Sequence, residues 1–379
     1  MRVIPPVAIT SAMITTNAVE TETPWANNVA YAIGDERCLP ATHKMYRAIK
    51  STVTNNVTIT SGSPAVIQWP AHGFSDGTPL TLGTNGTLLT GLGAGVQLYV
   101  RSPGVDNFSV SSTVGGTAIN TSGTQSGTHT AVVQANYSRS PDTNPDFWKE
   151  IGYTNPYKVL DLLRNSQSTR ASPLQVTITP GERADAIGIT GLAGDQVQVK
   201  VKVGGVEKYS YTEDLRIREV LGWYDYFFQP FSTRVKFARF DLPPYSDAVI
   251  EVTVSAASGN VSCGAIVVGR SVYIGDVQLD ADDDANNFSL IDRDDFGNAE
   301  LQRKRSVPIS NVEVLADRSL VKKIRALREL LNAVPAIYAG LEDTSDDYFE
   351  SFFKLAVYKR FRISAPGKLA RISLDYEEI

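Results

Sequence analysis

The sequence contains few of the residues that metal, nucleotide and nucleophilic sites require. Of its 379 residues only two are cysteine and three are histidine, and none of these stands at a metal-ligand spacing with another His, Cys or carboxylate. A phosphate-binding loop, a dinucleotide-binding glycine motif and a Gly-x-Ser-x-Gly elbow are also missing. Cys38 and Cys263 form neither a disulfide framework nor a paired-cysteine zinc pattern. The sequence therefore predicts no cofactor and no enzyme activity.

Basic residues are outnumbered by acidic ones. The chain has 36 Lys plus Arg against 41 Asp plus Glu, for a formal charge of −5, whereas a nucleic-acid-binding surface needs a basic excess. No stretch approaches the roughly 18–20 apolar residues of a membrane span, and residues 1–18 lack the long apolar run of a secretory leader. We therefore expect a soluble protein, made in a cytoplasm and not exported by a leader, without a nucleic-acid partner or a membrane span.

The acidic residues concentrate in one segment, from Asp276 to Asp295. As a calcium loop, this segment would place Asp280, Asp282 and Asp284 at the first, third and fifth positions. The match is incomplete, because Ala285 stands at the glycine turn and Ile291 at the position of the bidentate glutamate. The alternatives are a solvated acidic loop and a face that pairs with the basic patch of a neighbouring subunit.

The composition changes abruptly after Ser51. Residues 52–136 are rich in Thr, Ser and Gly and poor in charge, with short apolar or alternating runs separated by turn dipeptides such as Asp76-Gly77 and Asn85-Gly86. This pattern predicts a β module. Aromatic and polar character like that of residues 25–50 resumes after it, so we predict that 52–136 is inserted into a split module formed by 1–51 and 137–160.

A second β pattern covers residues 161–275. Gln196 to Val203 alternates polar with apolar residues over eight positions, as expected for a strand with one solvated face. Gly204-Gly205 then supplies a two-residue hairpin turn. Seven such strands in about a hundred residues predict a two-sheet, jelly-roll-like β-sandwich.

The C-terminal part, 276–379, contains the clearest helical pattern. Leu320, Ile324, Leu327 and Leu331 form an apolar stripe and predict a helix over Ser319–Leu331, after which the chain returns to strands. The opposite face is basic, with Lys322, Lys323, Arg325 and Arg328, and is either solvated or docked on an acidic partner. The whole chain is thus predicted to be mainly β and multi-domain, ending in a small α+β part.

Two motif series suggest families. Trp25, Tyr31, Gly34-Asp35, Tyr46 and the later Phe147-Trp148 resemble the small carbohydrate-binding modules of chitinases and cellulases. In that family exposed aromatic rings stack on sugar faces, which makes Trp25, Tyr46 and Trp148 the candidate sugar-binding residues. The alternative is that these rings form the core of a small domain.

The larger resemblance is to bacteriophage tail proteins. It rests on Gly152-Tyr153-Thr154-Asn155-Pro156-Tyr157 together with later segments and with the insertion, namely Val334 to Tyr338, Asp346 to Glu350, Tyr358 to Phe361 and Ala71 to Leu80. The resemblance implies a virion component of a baseplate, tail tip or fibre attachment, assembled in the host cytoplasm with other tail proteins. Because tails have rotational symmetry, we also expect a homo-oligomer, either a trimer or a ring.

Three functions therefore stay open at this point: a non-enzymatic tail structural protein, a protein that binds a host surface glycan, and a glycan depolymerase. For the first, the aromatic segment around Trp223, Tyr224 and Phe227 is a candidate interface, since aromatic residues anchor protein contacts. An interior strand of the sandwich is the alternative for this segment. A depolymerase would need two carboxylates about 5–10 Å apart in a cleft, which sequence alone does not reveal.

Overall fold

The computed structural model describes residues 1–217, 222–229, 232–278, 281–293, 295–343, 346, 348–364 and 367–379. The chain divides into two compact units, a large one made of Met1–Glu20 with Asn155–Ile379 and a small one made of Thr21–Thr154. Strands dominate both units, which confirms the predicted class, a mainly β protein with several domains. Within the described ranges, every helix is too short or too polar to span a membrane.

The chain starts in the large unit with β1 (Arg2–Ile4), a 3-10 helix (Ser11–Met13) and β2 (Ile14–Thr16). The small unit then contributes the strands β3 (Glu36–Leu39), β4 (Lys44–Ala48), β5 (Thr52–Thr60), β6 (Val66–Gln68), β7 (Pro79–Thr84), β8 (Gln97–Arg101), β9 (Asn107–Ser111), β10 (His129–Gln134) and β11 (Trp148–Tyr153).

A closed barrel, in the order β10-β5-β6-β9-β8-β7, forms most of the small unit. Its strands alternate, so that one set of side chains fills the interior; the fully buried members include Ile59, Ile67, Leu80, Val100, Val110 and Val133. The barrel strands run from Thr52 to Gln134 and therefore lie in the segment predicted to be an inserted β module. The three-stranded sheet β11-β4-β3 joins the segments before and after the barrel.

The chain returns to the large unit with a 3-10 helix (Asn155–Leu160) and then strands with one short helix: β12 (Ser168–Ala171), β13 (Leu174–Ile178), β14 (Ala186–Thr190), β15 (Gln196–Val203), β16 (Val206–Asp214), β17 (Arg216–Ile217), α1 (Trp223–Phe228), β18 (Ser232–Thr233), β19 (Lys236–Arg239), β20 (Val249–Ser255), β21 (Asn260–Cys263), β22 (Ile266–Gly269), β23 (Val272–Tyr273) and β24 (Asp276–Val277).

Two sheets of the large unit share one apolar core and form the predicted β-sandwich. The five-stranded sheet is ordered β16-β15-β20-β13-β2 and the three-stranded sheet β19-β14-β22, and buried residues from both enter the same cluster. The predicted strand Gln196–Val203 and its hairpin turn are confirmed. Gly204 and Gly205 have φ of 57° and 81°, a conformation that glycine adopts without the strain other residues incur.

The last elements of the chain are β25 (Asp282–Asn287), β26 (Leu290–Arg293), β27 (Ala299–Gln302), β28 (Ser306–Asp317), a 3-10 helix (Arg318–Leu320), α2 (Val321–Leu330), β29 (Ala336–Ala339), α3 (Phe349–Phe352), β30 (Phe353–Ser364) and β31 (Leu369–Glu378). Four of these strands, β28 to β31, build the sheet β23-β1-β29-β30-β31-β28-β24 with three earlier ones, and β25 adds to it by pairing with β28.

The N-terminal residues correct one predicted boundary. The sequence assigned 1–51 and 137–160 to one module, but residues 1–20 and 155–160 belong to the large unit. The physical reason is that β1 pairs with β29 and that Val3 and Ile4 are fully buried in that unit. The predicted domains 161–275 and 276–379 both lie within the large unit.

Candidate functional site

The three candidate sugar-binding rings lie in the small unit, and two of them are in its core. Tyr46 on β4 is 6% exposed and Trp148 on β11 is 2% exposed, while Trp25 is half-buried against the same apolar cluster. A buried ring has no face free to stack on a sugar. Tyr46 and Trp148 therefore occupy the core positions that the alternative interpretation describes.

Trp148 is held on several sides. Its indole Nε1 donates a hydrogen bond to the carbonyl oxygen of Arg139 at 3.1 Å, and its ring meets that of Tyr31 edge-on, with centroids 5.1 Å apart. The side chain of Asn136 is fully buried and bridges the backbone of Tyr31, donating to its carbonyl at 2.7 Å and accepting from its N–H at 3.3 Å. The aromatic motif thus builds a small core, as expected for a segment with few other apolar residues.

The predicted aromatic interface segment lies in a different environment. Residues 223–228 form helix α1, so an interior strand of the sandwich is wrong for them. Trp223 is 82% exposed and Phe227 65% exposed, and the remaining rings of Tyr224, Tyr226 and Phe228 are all more than half exposed. We call these five side chains the aromatic knob.

The rings of the aromatic knob contact each other. Tyr224 and Phe228, one helical turn apart, have centroids 5.0 Å apart, and Tyr226 meets Phe227 edge-on at 5.1 Å. Neighbours at i and i+4 lie on one face of a helix, so the sequence Trp-Tyr-Asp-Tyr-Phe-Phe creates a mutually packed apolar surface directed to solvent.

The loop that carries the aromatic knob is anchored to the sandwich. β17 pairs with β18, and Arg234 donates its backbone N–H to the carbonyl of Leu215 at 2.7 Å. Arg234 also pairs with Glu213 at 2.8 Å, and both side chains are largely buried. The knob is therefore presented on a bonded hairpin base.

The predicted helix over Ser319–Leu331 is confirmed, with an α-helical part at Val321–Leu330. Ile324, Leu327 and Leu331 are buried, as the apolar stripe predicted. Asp317 caps the helical segment by accepting a hydrogen bond from Ser319 N–H at 2.8 Å. Hydrogen bonds from the Ser319 hydroxyl and from its backbone N–H lower the pKa of the Asp317 carboxyl, and a carboxylate at the start of a helix is stabilising.

The basic face of α2 is exposed. Lys322, Lys323 and Arg325 make no ion pair with any residue that the structure describes, whereas Arg328 pairs with Glu329 at 2.8 Å. Beside this face lies a groove of about 720 Å³, which we call the α2 groove. Its apolar lining comes from the N-terminal segment, from β23 and from the helix, namely Pro5, Pro6, Val7, Ala8, Val272, Ala326, Leu327 and Leu330.

Charged side chains also border the α2 groove: Arg183, Arg270, Lys323 and Glu182. Three cations against one carboxylate give a net charge of +2. Arg183, Arg270 and Lys323 are exposed and make no ion pair with any of the residues placed by the structure. Sequence reasoning found Lys323 but missed the two arginines, because they come from distant loops and only the fold brings them together.

The acidic segment forms a two-stranded ribbon that extends from the edge of the large sheet. β25 pairs with the first half of β28 and β26 pairs with β27, and Phe288 N–H continues the ladder to Arg305 at 3.2 Å. Every residue of β25, β26 and β27 is exposed. We call residues 282–293 and 295–305 the ribbon.

The candidate cation ligands lie at the base of the ribbon. Asp280 is outside the described residues, while Asp282 and Asp284 alternate with Asp283 along β25. Asp283 pairs with Lys354, whose ammonium group is almost fully buried and also donates to Ser310 Oγ at 2.7 Å. Among the described residues, no group of three or more His, Cys, Asp and Glu side chains is placed to hold a metal ion.

The buried Lys354 was not found from the sequence. It stands in Phe352-Phe353-Lys354-Leu355-Ala356, where strand alternation gives no sign that a charge faces the interior. Its partner Asp283 comes from a strand 71 positions away, so only the register of β25 along β28 reveals the pair.

Comparisons with known proteins add no family to these observations. No protein-family model matches the chain, and no curated protein matches it.

Proposed function

We propose that this chain is a non-enzymatic structural subunit of a bacteriophage tail, located in a baseplate, tail tip or fibre attachment, and that it assembles with other tail proteins. The aromatic knob is the observation that supports this proposal most strongly. Five aromatic side chains cluster on one short, anchored helix and leave most of their surface in water. Contiguous exposed apolar patches mark interaction sites, and aromatic residues dominate the energetics of such sites.

The sequence motifs support a tail as the kind of assembly that we propose. The order of the carbohydrate-module-like series, the Gly152 to Tyr157 segment and the C-terminal aromatic segments is the order that resembles tail proteins. A virion subunit also needs separate surfaces for several neighbours, and obligate interfaces commonly bury more than about 2,000 Å². The aromatic knob, the ribbon and the basic face of α2 supply three such surfaces.

The test is incorporation into particles. Phage particles produced without the chain are complemented with wild-type protein or with Trp223→Ser combined with Phe227→Ser, purified on a density gradient and probed with an antibody against the chain. Wild-type protein should sediment with the particles and label one end of the tail, and the variant should be lost from them. Leu369→Ser, which removes an exposed apolar side chain elsewhere on the large unit, is the matched control and should be incorporated normally. Absence of the wild-type protein from purified particles would refute the proposal.

A further inference from the structure

The ribbon ends in a two-stranded hairpin, an element that has little stability of its own. A two-stranded hairpin without a third strand or a packed face is marginally stable in water, and the part of the ribbon formed by β26 and β27 has neither among the residues that the structure describes. Large apolar side chains nonetheless project from both of its faces: Leu290 is 47% exposed on one face, and Ile291 and Leu301 are more than half exposed on the other. Such a structure implies a binding partner.

The register of the hairpin separates its two faces by charge. Residues directly opposite each other point to the same face, so Leu290, Asp292, Glu300 and Gln302 share one face, and Ile291, Arg293, Ala299 and Leu301 share the other. We call the first set the acidic face. Arg303, Lys304 and Arg305 follow β27, away from this tip.

The acidic face contains an unfavourable pair. Asp292 and Glu300 lie directly opposite each other across the two strands, and like charges at such positions destabilise a sheet. Neither carboxylate has an ion-pair partner among the residues that the structure places. A basic partner surface would convert this repulsion into attraction.

The α2 groove has the complementary chemistry. Its net charge of +2 from Arg183, Arg270, Lys323 and Glu182 matches the two carboxylates of the acidic face. Its apolar lining includes Leu330, which is itself 61% exposed, and offers a surface on which Leu290 can be buried. The opposite face of the hairpin carries Arg293 and would bring a cation to this rim.

We propose that the acidic face of the ribbon of one copy docks in the α2 groove of a second copy of the same chain. Each copy carries one ribbon and one groove, so the contact is head-to-tail, and a head-to-tail contact closes into a ring when its rotation permits. The inference rests on the proposed assembly role and names one of its partners, a second copy of this chain.

The experiment measures self-association of the purified full chain by sedimentation velocity, up to about 100 µM. Wild-type protein should form a concentration-dependent oligomer whose dissociation constant rises with salt, because the contact is charged and partly exposed. Asp292→Lys with Glu300→Lys on the ribbon, or Arg270→Glu with Lys323→Glu in the groove, should each raise the dissociation constant at least about 30-fold, the effect expected for hot-spot residues.

The chain that carries all four substitutions reverses both sides of the contact and should recover an affinity within about fivefold of the wild type. The control pair Lys149→Glu with Lys208→Glu makes the same change of charge as the groove variant at exposed positions without ion pairs to described residues, and should leave the oligomer unchanged. Circular dichroism checks that each variant is folded.

Three results would overturn the inference. The wild type could be monomeric over the whole concentration range, or the oligomer could keep its affinity in both double charge-reversal variants. The third result is that the chain with all four substitutions stays dissociated. None of these would by itself overturn the proposed function, which is read from incorporation into particles. A chain that is monomeric alone but present in tails would keep the assembly role and exclude this contact.

Discussion

Trp148 and Trp223 show how differently the same type of residue is used in the two units. Trp148 is enclosed by Tyr31 and by the carbonyl of Arg139 to which it donates a hydrogen bond, while Trp223 keeps 82% of its surface in water. Both stand in aromatic-rich segments of similar composition. In this chain, aromatic density marks a core where it lies on paired strands and an exposed apolar surface where it lies on a short helix.

The comparison is tested most strongly by removing the buried ring. Trp148→Ala should lower the free energy of unfolding of the small unit by about 3–5 kcal/mol, because the cavity cannot close around a residue packed on several sides. Trp148→Phe keeps most of the packing and loses the bond to Arg139, so it should cost about 1–2 kcal/mol. Urea titration followed by circular dichroism measures both, and a loss below 0.5 kcal/mol for the alanine variant would contradict the core assignment of Trp148.

A second test contrasts the base of the ribbon with its exposed outer side. Asp283→Asn leaves the Lys354 ammonium buried with Ser310 as its remaining partner among the described residues, and should cost about 2–3 kcal/mol of unfolding free energy. This cost is below the usual range for a buried pair because Asp283 is itself partly exposed. Combining it with Lys354→Met removes the stranded charge and should recover most of the loss. Asp282→Asn on the same strand should stay within about 0.5 kcal/mol, and equal losses at the two aspartates would show that the pair does not anchor the ribbon.

A third test measures how the unfolding free energy of the large unit depends on pH. Burial raises the pKa of the Cys263 thiol from its ordinary value near 9 to about 12 and raises the pKa of the Tyr376 hydroxyl as well. The unfolded chain releases the thiol proton above about pH 9 and the hydroxyl proton above about pH 10, while the native state keeps both. The stability that each group contributes is therefore present below its ordinary pKa and is lost as the pH rises toward its native pKa. Each group should lower the unfolding free energy by up to about 1.4 kcal/mol per pH unit.

Urea titrations of the large unit at pH 7.5, 9 and 10 measure this slope. Cys263→Ala removes one of the two groups and should flatten the slope between pH 9 and 10, whatever its effect on stability at pH 7.5. An unchanged slope in that variant would mean that the thiol is not the source of the pH dependence.

The smallest effect is expected at the aromatic knob. Trp223→Ser and Phe227→Ser should each change the unfolding free energy by no more than about 0.5 kcal/mol, because both rings are largely exposed and the ring contacts they make with described residues are to other rings of the knob. Binding of an apolar dye such as anilinonaphthalene sulfonate should fall at the same time. A loss of 2 kcal/mol or more would show that the knob is part of a core.

Local sequence patterns predicted the strands and helices in which buried positions recur at a fixed period. Alternation identified Gln196–Val203 and the leucine stripe identified α2, because one buried face recurs at a fixed period in each. The β-rich class followed from many such short runs. Burial of Tyr46 and Trp148 stayed open in the sequence, since a ring that packs in a core and a ring that binds sugar leave the same local pattern.

Features made by distant segments could not be predicted. The pairing of β1 with β29 joins residues at opposite ends of the chain, and the α2 groove combines the N-terminal segment with Arg183, Arg270 and the helix. The acidic run was visible in the sequence, but its pairing with β28 depends on register, which the triple aspartate does not itself specify. The same run could thus be interpreted as a cation loop or as a paired strand.

The barrel of the small unit has a consequence for strand addition. Its six strands, all of whose residues the structure describes, close on one another through the pairing of β10 with β7 as well as with β5, so within them no backbone edge is left open to a further strand. Partners can reach this module only through side chains and loops. The outer strand of the sandwich, β16, pairs on one side only with the strands that the structure describes, and its charged residues, including Glu207 and Lys208, oppose edge-to-edge aggregation.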